Sequence, residues 1–165
     1  VGKQNVVAIP TDVYKHLINE RENIRKQFEG HTLTEFRPIR SIVASTDIHE
    51  YALDLLVEAL ETLGTEPIVA GTGLDPDTLA EMVDCHSVNT ILLSTHNGMA
   101  LTYAKRLLQE LKLRGVSPQI IMGGRLNQDK DGAPAPVDVE SELVQLGIYV
   151  CEDIKGLLAV LRIAN

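Results

Sequence analysis

Asp47 and His49 stand two residues apart in the stretch Ser45-Thr46-Asp47-Ile48-His49-Glu50-Tyr51-Ala52, directly after the apolar run Ile42-Val43-Ala44. An imidazole with a carboxylate this close is suited to ligating a metal. The carboxylate accepts from one ring nitrogen, fixes the tautomer and leaves the other nitrogen basic. Two later stretches also hold residues fit for a site. Ser94-Thr95-His96-Asn97-Gly98 brings a hydroxyl and a second imidazole, and Gly123-Gly124 lets a flat ligand approach the backbone closely. Plainer roles exist for each: Asp47 as a cap on the following helix, Ser94 as the end of a strand, the glycine pair as a turn.

The elements that position these stretches follow from the hydrophobic pattern. Apolar, β-rich runs lie at 39–43, 67–70, 90–93, 119–122 and 148–150, and helical stretches at 52–63, 76–84, 99–114, 139–146 and 154–163. Asp75-Pro76 starts one helix, while Gly64, Gly115 and Gly147 follow others. Several strands lack polar alternation, as expected when helices cover both faces. Strands alternating with helices predict a doubly wound, five-stranded parallel α/β sheet of flavodoxin-like (Rossmann-like) type, with strand order 2-1-3-4-5. In that order the three stretches converge at the carboxyl edge of the sheet, where such folds bind ligands.

Ahead of this domain, residues 11–29 predict a charged helical arm and 31–38 a linker. The division is therefore 1–38, arm and linker, and 39–165, the domain. Residues 124–138, with Asp129-Lys130-Asp131-Gly132, read as a long mobile surface loop. His16, His31 and His86 read as surface residues without partners, and Glu58 and Glu61 as a solvated helix face. Cys85 and Cys151 match no metal spacing and read as buried free thiols.

Composition excludes several functions. A net charge of -8 disfavours nucleic acid as a partner, and 4% aromatic residues with no Trp disfavour stacking sites for flavin or single strands. No apolar run reaches the ~18 residues of a membrane span, and no signal-peptide pattern is visible, so a cytoplasmic setting is expected. Rival chemistries of the same fold fail at the motif positions. A phosphorylation receiver needs an acid ending strand three and a Lys ending strand five, where Ser94 and Cys151 stand. A flavodoxin needs a Gly- and hydroxyl-rich first loop, and a dinucleotide fold needs G-x-G-x-x-G there; Thr46-Asp47-Ile48-His49 is neither.

The three stretches together resemble the cobalamin-binding domain or small subunit of adenosylcobalamin-dependent mutases of the methylmalonyl-CoA mutase and glutamate mutase type. That pattern is D-x-H-x-x-G, then S-x-L, then G-G. Asp47, His49 and Ala52 meet the first with Ala for Gly; Ser94, Thr95 and His96 meet the second with His for Leu; Gly123-Gly124 meets the third. The spacing between motifs agrees, over residues 39–165.

The resemblance implies that His49 replaces the cofactor's own dimethylbenzimidazole as lower axial ligand to cobalt, the base-off/His-on mode, with Asp47 orienting the imidazole. It implies a channel for the displaced nucleotide tail between sheet and helices, lined by Ser94 and Gly123-Gly124. Thr46, Ile48, Ala52, Thr95, His96 and Gly98 complete the expected contacts. It also implies a cofactor, adenosylcobalamin, and a partner, a large substrate-binding (β/α)8-barrel subunit or domain. Such a barrel takes about 250 residues, so the chain is expected to be inactive alone, and the arm is expected to dock on that partner. The alternatives are a corrinoid methyl carrier, which usually has a helical bundle ahead of this domain, and a non-catalytic cobalamin-binding regulator.

Overall fold

The computed structural model describes residues 12–31 and 38–164. The first residues of the predicted arm, and most of the linker, lie outside them. The elements in chain order are α1 (Asp12–Phe28), β1 (Ser41–Ser45), α2 (Tyr51–Thr62), β2 (Ile68–Gly71), α3 (Pro76–Cys85), β3 (Thr90–Thr95), α4 (Ala100–Leu113), β4 (Gln119–Gly124), β5 (Asn127–Gln128), β6 (Val137–Asp138), α5 (Glu140–Gln145), β7 (Tyr149–Cys151) and α6 (Leu157–Ala164). A single 3-10 turn, Ile154–Gly156, precedes α6. Among the described residues no helix is long and apolar enough to cross a membrane.

The main sheet is parallel, in the order β2-β1-β3-β4-β7, which is the predicted doubly wound flavodoxin-like arrangement. β1 and β3 are buried along their whole length, as central strands covered on both faces must be. The helices follow from apolar spacing. In α4, Tyr103, Ala104, Leu107 and Leu111 fall on one buried stripe, and in α3 Leu79, Ala80 and Val83 do the same after Pro76 sets the first turn.

Register explains how the two faces differ. Ala44, Leu93, Met122 and Val150 form a row facing α3 and α4, where the core is filled. Val43, Leu92, Ile121 and Tyr149 form the opposite row, facing α1, α2 and α6. Two residues further along that second face, at the carboxyl edge, the row becomes Ser45, Ser94, Gly123 and Cys151. Large side chains thus give way to small ones at that edge, and this opens the cavity described below.

Several expectations need correcting. Strand one runs two residues later than predicted, because Ser41 and Ser45 are buried polar residues that an apolar pattern does not reveal. The last helix starts at Leu157, because the Asp153 side chain accepts from the Gly156 N–H and holds a tight turn first. The segment 124–138 is not a free loop. Its β5–β6 ladder packs on α4: Leu126 and Gln128 are buried, and Gln128 Oε1 accepts from the Thr102 N–H at 2.9 Å.

Glu58 is not solvated. It is 4% exposed, and its two oxygens are held by Arg21 and Arg25 of α1 at 2.8 Å. Burial would raise its carboxyl, but the hydrogen bonds and charges of the two guanidiniums outweigh that and hold it below 4.5. With Ile24 and Phe28 buried in the same core, α1 is part of the packed body. Cys85 is exposed, and only Cys151 is buried. His16 stacks on Tyr51 with ring centroids 6.2 Å apart, and His31 Nδ1 meets an Arg162 nitrogen at 3.3 Å, so neither lacks a partner.

Candidate functional site

Three loops leave the carboxyl edge side by side, after β1, β3 and β4. The β1 loop carries Asp47 and His49, and hydrogen bonds fix it on both sides. The Thr46 N–H donates to the Ser94 carbonyl at 2.9 Å, and the Gly73 N–H donates to the Asp47 carbonyl at 3.0 Å. Buried Thr46 and Thr95 hydroxyls meet at 2.9 Å, and the Asn97 side-chain amide donates to the Thr46 carbonyl at 3.3 Å. Thr46 and Thr95 therefore brace the two loops against each other. Asn97, absent from the expected contacts, is the clamp between them. An Asn just past a strand end was the available signal.

Asp47 uses both carboxylate oxygens. Oδ1 accepts from the His49 N–H at 2.9 Å and stands 2.7 Å from His49 Nδ1; Oδ2 accepts from the His96 N–H at 2.7 Å. The Ser45 hydroxyl adds a 3.2 Å contact to Oδ1. Burial would raise this carboxyl, but the hydrogen bonds of His49 and His96, with the attraction of the His49 ring, outweigh it and hold it below its ordinary 3.8. An ionised carboxylate only accepts, so His49 Nδ1 must carry the proton and donate. Its Nε2 is then left with a free lone pair whenever the ring is neutral. The helix-cap role is not taken: α2 begins after Glu50 with no side-chain cap, and Asp47 serves the two histidines instead.

Exposure separates the pair. The His49 side chain is 65% exposed and that of Asp47 only 9%, so the ring is offered to solvent while its anchor is shielded. Ile48 beside it is 83% exposed. The rings of His49 and His96 lie 5.8 Å apart, centroid to centroid.

Next to this pair an apolar cavity of about 210 Å³ runs between the sheet and α2, the 3-10 turn and α6. Its walls are Leu55 and Leu56 of α2, Leu92 and Ile121 of the sheet, and Leu157 of α6, and its edge includes Tyr51, Ala52, Ser94, His96, Gly123 and Gly124. Cys151 also lines it; burial, with Asp153 nearby, pushes its thiol up to about 11, so it stays protonated.

The glycine pair is needed by the chain itself. A Cβ on Gly123 would stand 2.7 Å from the Cys151 carbonyl oxygen. One on Gly124, whose φ is +98°, would clash with the Thr95 carbonyl oxygen and meet the His96 ring at 2.9 Å. The structure thus brings Ala52, Ser94, His96, Gly123 and Gly124 to one cavity, beside Asp47 and His49. Gly98 stands apart, against the Asp129 carboxylate, where a Cβ would meet it at 3.0 Å.

No protein-family model and no curated protein matches the chain. Among solved structures it is similar to a cobalamin-binding protein from Desulfitobacterium hafniense DCB-2, with a TM-score of 0.60 and 17% sequence identity; the match covers 76% of this chain and 59% of that one. The chain therefore spans less than two thirds of that protein's length. At this identity the likeness shows the α/β fold. The A-PCP didomain of carboxylic acid reductase from Segniliparus rugosus, in complex with AMP, matches at a TM-score of 0.43 and 16% identity, covering 85% of this chain and 18% of that one, too distant to bear on the site.

Proposed function

We propose that this chain is a cobalamin-binding domain that holds the cofactor base-off, with His49 Nε2 as lower axial ligand to cobalt. One observation carries the reading: the Asp47–His49 hydrogen bond leaves an exposed, correctly tautomerised imidazole beside His96, which lines an apolar cavity. Among the described residues no group of three or more His, Cys, Asp and Glu is gathered as a metal cage. A lone imidazole suits a metal that arrives with its other donors already in a macrocycle. The apolar cavity suits the aromatic base that such a mode displaces, and Ser94 stands at its edge as a hydroxyl for that base. The cobalamin-binding neighbour of the same fold supports the assignment.

Cobalamin supplies a reactive organometallic bond to cobalt, the difficult part of the chemistry. The chain's own residues bind, orient and tune. Asp47 keeps the His49 proton on Nδ1 and raises the basicity of Nε2. The β1, β3 and β4 loops fix the ring, and the α2–α6 cavity excludes water from the tail.

The finer reading is an adenosylcobalamin-dependent isomerase component whose substrate is held by a separate (β/α)8-barrel subunit or domain. It rests on the three-motif resemblance and on the exposed His49 and Ile48, which leave the ligand face open to a second component. The test is a titration with hydroxocobalamin followed by absorbance. The wild-type chain should give the base-off/His-on spectrum, and His49→Ala should lose it with unchanged circular dichroism. An identical spectrum in both would overturn the ligand. Adding candidate barrel partners then separates isomerisation from methyl transfer.

A further inference from the structure

The cavity has an imbalance that the proposed cofactor makes important. Its walls are leucine and isoleucine, its other charged lining residues are Glu152 and Asp153, and no Lys or Arg lines it among the described residues. The nucleotide tail of cobalamin joins its base to the corrin through a phosphodiester, a permanent anion. A buried or half-buried anion without a donor is expensive. Tyr51 and Ser94 bring hydroxyls to the cavity edge, and His96 adds a ring nitrogen there, beside the exposed His49 ring.

Its placement is specific. The His96 backbone N–H is tied to Asp47 Oδ2, its Nδ1 lies 3.9 Å from the same oxygen, and its ring lies against Gly124 with the His49 ring 5.8 Å away. The His96 side chain is 33% exposed, so it is packed on one side and open on the other. A ligand reaching from His49 into the cavity passes it.

Resting on the cobalamin reading, we infer that His96 is the phosphodiester anchor, a binding residue that donates a ring N–H to the tail's anionic linkage and so selects corrinoids that carry a complete nucleotide tail. Hydrogen bonds to charged groups are the strong class, and losing one typically lowers affinity about tenfold or more.

The experiment compares cobalamin with cobinamide, the corrinoid without phosphodiester and base, in the wild-type chain, His96→Leu and His96→Gln. His96→Leu should weaken cobalamin about tenfold while leaving cobinamide affinity and the His-on spectrum unchanged. His96→Gln, which keeps a neutral donor, should fall between. Equal weakening of both corrinoids would overturn the anchor and leave His96 as a support for Asp47, and weakening of neither would overturn the anchor outright. Failure of the wild-type chain to bind either corrinoid would overturn the cobalamin reading itself, an outcome distinct from the first.

Discussion

The two faces of the sheet are built for different ends. Toward α3 and α4, Leu93 and Met122 join Leu79, Val83, Leu107 and Leu143 in one cluster of buried side chains that contributes to stability. Toward α2 and α6, the same strands end in Ser45, Ser94, Gly123 and Cys151, and packing stops short of the carboxyl edge. That second face recovers rigidity another way, through α1, whose Ile24, Phe28, Arg21 and Arg25 hold the outside of α2. One face stores stability and the other stores space.

Substitutions should separate the two. The largest effect belongs to the filled face: Leu107→Ala, at a fully buried position, should destabilise by about 2–5 kcal/mol in denaturant melts. Glu58→Gln should come next, at about 1–3 kcal/mol, because it weakens two charge-assisted bonds to a buried carboxylate. The ion pair also fixes a pH dependence. A carboxyl held below 4.5 in the fold contributes its stability in full above that value, and the contribution fades as pH falls through the lowered value. A melt series from pH 6 to 3 should therefore show a loss in the wild-type chain that Glu58→Gln lacks.

A size increase gives the sharpest contrast. Leu107→Phe should cost about 1–3 kcal/mol by overpacking. Leu56→Phe, facing the cavity, should change the stability of the free protein by less than about 1 kcal/mol and yet reduce cobalamin affinity by at least about tenfold. Equal destabilisation by both would mean that the cavity closes in solution. The smallest effect is expected from Asp47: lowering pH from 7 to 4 should leave the His49 Nδ1 hydrogen bond in place, because the carboxyl titrates below 3.8. Imidazole nitrogen shifts would read this directly.

Much of this was legible in the chain. The parallel sheet and its order followed from apolar runs alternating with helices, and Asp47, His49, Ser94 and Gly123 were legible as an edge because strand ends and loops carry them. Three kinds of feature were not. Glu58 sits in a helix rich in acids, and nothing local distinguishes the one that Arg21 and Arg25 bury from Glu61 on the same helix. Leu126 and Gln128 lie in a segment whose turn residues dominate its pattern, while their partners are in α4. The cavity arises from register, Ser94 beside Gly123 beside Cys151, which only pairing between distant strands creates.

The central claim is that a protein nitrogen, His49 Nε2, bonds to cobalt. Electron paramagnetic resonance of the chain loaded with cob(II)alamin, prepared with 15N-labelled histidine, tests it directly. The claim predicts that each cobalt hyperfine line is split into a doublet by 15N in the labelled wild-type chain and that His49→Ala loses this splitting. A triplet from 14N in the labelled protein would show that the cofactor's own base still holds the metal, and the account of this site would be wrong.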